Sequence, residues 1–70
     1  MNVEIEYIED AVRCIVEKGA GDYVFLLTEQ KIQQSTKSWA YNKLKEKFPV
    51  SEISIFGNVG KNKLTISVII

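Results

Sequence analysis

Seventy residues, 46% hydrophobic and 26% charged, with four glycines and one proline, make one folded domain spanning 1–70. They exclude both a disordered tail and two independent cores, because so short a chain buries only about 60% of its unfolded surface. The formal net charge of zero hides a polarity, since residues 1–30 carry seven acids against two bases and residues 31–70 carry seven lysines against two acids.

"NVEIEYIED" (residues 2–10) alternates Val3, Glu4, Ile5, Glu6, Tyr7, the period-two pattern of a strand with one wet face. Helix is the rival, because Ile5, Ile8, Val12 and Ile15 also recur at spacings of three and four with no glycine or proline between them. The richness in Val, Ile and Tyr favours strand, with Glu9 and Asp10 supplying a turn. Glu4 and Glu6 fall on one face of such a strand, where paired carboxylates would sit, but alternating glutamates there mark the solvent side. This start is acidic where a secretory signal is basic and then apolar. No apolar run approaches the roughly 20 residues of a membrane span, so a cytoplasmic protein is expected.

"AVRCIVEK" (11–18) and "DYVFLLTE" (22–29) flank "GAG" and read as two antiparallel strands joined by a glycine-rich hairpin. Both are apolar at nearly consecutive positions, as central strands covered on both faces are. Cys14 is the single cysteine and the chain has no histidine. An internal disulfide is impossible, and both the usual ligands of zinc and the usual base of a nucleophilic triad are missing. Cys14 is therefore read as a small core side chain, and neither cofactor, metal nor catalysis is expected.

From 29 to 48 the composition shifts to Gln, Lys, Ala, Leu and Glu, which predicts a helix capped by Thr28 and stopped by Pro49. Ile32, Thr36, Ala40, Leu44 and Phe48 form its apolar stripe at spacings of four, and Trp39 and Tyr41 fall at the two margins. The last twenty residues return to alternation, with Ile53 and Ile55, then Leu64, Ile66, Val68 and Ile70, as a second hairpin around "GNVGKN". That loop has glycine, lysine and asparagine but not a phosphate loop's GxxxxGK[ST] spacing, and a strand rather than a helix follows it.

The resulting expectation is an α+β domain of order βββαββ, a mostly antiparallel five-stranded sheet with one helix on one face. Such a sheet owns more apolar surface than one helix covers, which points to a homodimer or a protein partner. The reading is a small non-catalytic regulator, inhibitor or adaptor of the phage accessory type that binds another protein, with Trp39, Tyr41 and Ile69 as candidate contacts. The alternative is nucleic-acid binding by the lysine and aromatic helix 29–48 and the 57–63 loop through Lys37, Lys43, Lys45, Lys61 and Lys63.

Overall fold

A computed structural model describes residues 2–70. The chain order is β1 (Asn2–Ile5), α1 (Ile8–Lys18), β2 (Gly21–Leu27), α2 (Gln34–Lys47), β3 (Glu52–Phe56) and β4 (Lys63–Ile69). The expected α+β domain is present, with two differences. Among the described residues there are four strands and two helices where five and one were expected, and the sheet is mixed. Its order is β1-β2-β4-β3, with β1 parallel to β2 and both β2 and β3 antiparallel to β4.

Residues 11–18 are the source of both corrections. They belong to α1, whose Ile8, Ala11 and Ile15 recur at three and four and are buried, so the helical spacing of these residues overrides their β propensity. Asp10 accepts a hydrogen bond from the Tyr7 amide at 3.3 Å, and Gln30, 22 positions along the chain, accepts one from the Ile8 amide at 2.9 Å. These two side chains satisfy orphan donors of the first turn. At the other end Gly19 takes φ +94° and its amide donates to the Ile15 carbonyl. The "GAG" expected to close a hairpin thus stops a helix. A helix between β1 and β2 also permits their parallel pairing, which a hairpin forbids.

The second helix begins six residues later than Thr28. The intervening backbone is committed elsewhere: the Thr28 and Glu29 amides bond Ile5 and Glu6, the Ile32 amide bonds Lys61, and the Gly60 amide bonds Ile32. These contacts seat Ile32 in the core at 0% exposure. The stripe Thr36, Ala40 and Leu44 is buried as expected.

One core forms between the helices and a single sheet face. Phe25 and Leu27 of β2, Leu64, Ile66 and Val68 of β4, and the buried residues of both helices make one cluster, with Val3, Ile5, Ile53 and Ile55 at its margin. The opposite sheet face is open and mixed. Rows of the register run Glu4, Leu26, Lys63 and Asp22, Ser67, Ser54, with Ser67 donating to Asp22 at 2.6 Å. Residues 11–18, read as an apolar central strand, turn their apolar side to the core as α1, while the open face still carries Val24, Leu26, Phe56 and Ile69.

Tyr23 stacks on Phe25 with ring centroids 5.9 Å apart and donates its hydroxyl to the Gly19 carbonyl, tying α1 to β2. Tyr23→Phe is expected to cost about 1 kcal/mol in urea unfolding. Burial first, and the neighbouring Cys14 second, raise the Tyr23 pKa above the ordinary 10.0. The unfolded chain therefore releases this proton at lower pH than the folded one. Its contribution to stability is complete below pH 10 and is lost as pH rises through the raised value. Tyr23→Phe is expected to flatten the alkaline limb of a stability profile.

Candidate functional site: the groove between α2 and the sheet edge

Placing β4 between β2 and β3 leaves β3 at the margin of the sheet, bonded on one side only. The outward N–H and C=O groups of an edge strand are a ready template for another strand. Beside this edge lies the outer shoulder of α2, where Lys37, Tyr41 and Lys45 recur every four residues and so share one face. The Lys37 ammonium donates to the Gly57 carbonyl at 3.0 Å. Lys45 donates to the Ser51 carbonyl at 2.7 Å and to Pro49 at 3.5 Å. The two lysines thus hold α2 to carbonyls just beyond each end of β3, and leave the strand itself free between them.

A groove of about 370 Å³ opens there, lined by Gln34, Lys37, Ser38, Tyr41, Asn42 and Ile55. Its volume lies within the range of ligand clefts, at about 300–1,000 Å³. Its floor is the half-buried Ile55, and its wall offers amides, a hydroxyl and the 41% exposed Tyr41 ring. The electrostatics are one-sided. Among the described residues the ion pairs are Arg13 with Asp10 at 3.0 Å and Lys43 with Glu46 at 3.9 Å. No carboxylate pairs with Lys37 or Lys45, although both are partly buried.

The sequence-predicted contacts do not converge. Tyr41 lines the groove, whereas Trp39, two residues away, projects about 160° around α2 from it. Ile69 lies on the open sheet face across from Glu52 and is 53% exposed. Of the five lysines, Lys37 lines the groove, Lys45 lies one turn past Tyr41 against the Ser51 carbonyl, and Lys43 stands on the far shoulder with Glu46. Lys61 and Lys63 line a separate hollow with Phe56, Asn58 and Asn62. Glu6 lies beyond the end of β1, so the two carboxylates do not share a strand face, although both line one hollow with Asp10 and Thr28. Among the described residues no group of acids and Cys14 forms a metal cluster. Among the same residues no helix is long and apolar enough to cross a membrane.

Gln34, Ser38, Asn42 and Ile55 were not singled out from the sequence. The repeat of four linking Lys37, Tyr41 and Lys45 was legible as one helix face. That this face borders an open sheet edge required the strand order. Comparison with family models, with curated proteins and with solved structures finds no match for this chain.

Proposed function

We propose that the protein is a small intracellular, non-catalytic protein-binding module, an inhibitor, adaptor or regulator of the kind phages and mobile elements carry, which takes an extended segment of its partner as a fifth strand on β3. The observation that carries this reading is the unpaired outer edge of β3 beside a groove lined by Lys37, with Lys45 one helical turn past Tyr41 at the other end of the strand and no carboxylate paired to either. Main-chain hydrogen bonds to the edge supply affinity, and the groove selects alternate side chains.

The test is a comparison of two aromatic variants. A partner recovered with the wild type from host lysate is expected to be lost with Tyr41→Ala and kept with Trp39→Ala, and its binding to slow amide exchange within residues 53–56. Loss with Trp39→Ala alone moves the contact to the far shoulder of α2 and removes this proposal.

A second reading, nucleic-acid binding, is favoured by one arrangement. Phe56 is 65% exposed on the open face, and Lys61 and Lys63 border the same hollow. A ring available for stacking beside two cations suits a single strand. Binding to single-stranded DNA or RNA that weakens steeply with salt and is lost with Phe56→Ala supports it. Undetectable binding at low salt ends it.

A further inference from the structure

We infer that the segment β3 accepts carries two carboxylates four residues apart with an apolar side chain midway, in the pattern acid-x-apolar-x-acid. This rests on the strand-addition reading above and adds the chemistry of the ligand. The first argument is a match of repeats. Successive members of the Lys37, Tyr41, Lys45 stripe rise about 6 Å along α2. Alternate residues of an extended strand advance about 6.6 Å. A strand laid against β3 sends every second side chain toward the helix layer, so three consecutive inward side chains meet Lys37, Tyr41 and Lys45 in turn.

Charge identifies the outer two. An ammonium has three donors, of which Lys37 spends one on Gly57 and Lys45 two on Ser51 and Pro49. Each keeps at least one donor, and neither has a carboxylate within ion-pairing distance. Their stems are fixed by the carbonyls they hold, so little side-chain freedom remains to be lost when an anion arrives. The middle position faces the Tyr41 ring and Ile55, which is the apolar part of the groove.

A second copy of this chain is the poorer occupant. Antiparallel pairing of β3 with the β3 of a second copy, centred on Ser54, sets Ser51 across from Gly57. That brings Lys45 against Lys37 of the second copy at both ends, and like charges facing across strands oppose pairing. The same lysines thereby guard the edge against aggregation while leaving it open to an acidic strand.

The experiment is selection from a display library of random heptapeptides on the wild-type protein, followed by titration of three synthetic peptides at low and high salt. Thr-Glu-Thr-Phe-Thr-Glu-Thr has the pattern, Thr-Thr-Glu-Phe-Glu-Thr-Thr has the same composition out of frame, and Thr-Lys-Thr-Phe-Thr-Lys-Thr has the opposite charge. The library is expected to enrich Asp or Glu at positions four apart. The in-frame peptide is expected to bind at least tenfold more tightly than either control, with the advantage shrinking in salt. Lys37→Glu with Lys45→Glu is expected to transfer the preference to the lysine peptide, and Lys37→Gln alone to halve the salt dependence if the double variant does not fold. Equal binding of all three peptides overturns the acidic pattern and leaves strand addition standing. No enrichment and no binding overturns both. Concentration-dependent assembly without peptide, competing with its binding, makes a second copy the occupant and also overturns the inference.

Discussion

Phe25→Ala is expected to leave the domain largely unfolded at room temperature, with loss of the cooperative urea transition seen by circular dichroism. Phe25 is fully buried at the middle of β2, in register with Val3 on one side and Leu64 on the other. Its ring also lies nearly parallel to that of Tyr23, at 6°. Truncating a buried Phe to Ala costs about 3–5 kcal/mol, the lost transfer energy plus the cavity. A core of this size supplies only about 3–5 kcal/mol of net stability, so one substitution removes most of it. Phe25→Leu keeps most of the volume and is expected to stay folded, losing about 1 kcal/mol. A cooperative transition retained in Phe25→Ala would mean that β2 is not the centre of the core.

What the sequence reveals here divides by the range of the interaction. The stripe Thr36, Ala40, Leu44 and the alternation of Leu64, Ile66 and Val68 are local periodicities, and both elements lie where the pattern puts them. Residues 3–18 carry both periods at once. Ile5, Ile8, Val12 and Ile15 suit a helix, and the alternation ending at Tyr7 suits a strand; the chain uses the alternation up to Ile5 and the helical spacing from Ile8. Gly19 held the deciding signal, since a glycine directly after Glu17 and Lys18 is a helix stop as readily as a hairpin turn. The start of α2 was not legible, because Thr28 and Ile32 are held by carbonyls of β1 and of the β3–β4 loop. The groove was half legible: its helix side follows from a spacing of four, but its edge exists only because β4 is inserted between β2 and β3.

Gly57→Ala is expected to destabilise by about 1–3 kcal/mol, as overpacking of a filled core does, and for a reason the sequence does not show. Gly57 and Gly60 look equivalent, two turn glycines in one loop. Gly60 has φ +88° and open space where a Cβ would be, so Gly60→Ala is charged only for its backbone, about 1–2 kcal/mol. Gly57 has no such φ. A Cβ there would stand 2.7 Å from Ile32 Cδ1, 3.1 Å from Leu64 Cδ1 and 3.1 Å from the Lys63 carbonyl. Ile32 has little room to retreat, because its amide is bonded to Lys61 and its carbonyl to Gly60, each at 2.8 Å. The two sites should therefore couple. Ile32→Val deletes the Cδ1 that the new methyl meets, and alone it costs about 0.5–1.5 kcal/mol. Combined with Gly57→Ala it should cost less than the sum of the singles, a coupling of at least about 0.5 kcal/mol in a double-mutant cycle. Strict additivity would show that the loop yields rather than the side chain. The Gly57 carbonyl is also the acceptor that holds Lys37. Gly57→Ala should thus loosen one of the two cations beside β3 and weaken binding of the in-frame acidic peptide, an effect Gly60→Ala should not share.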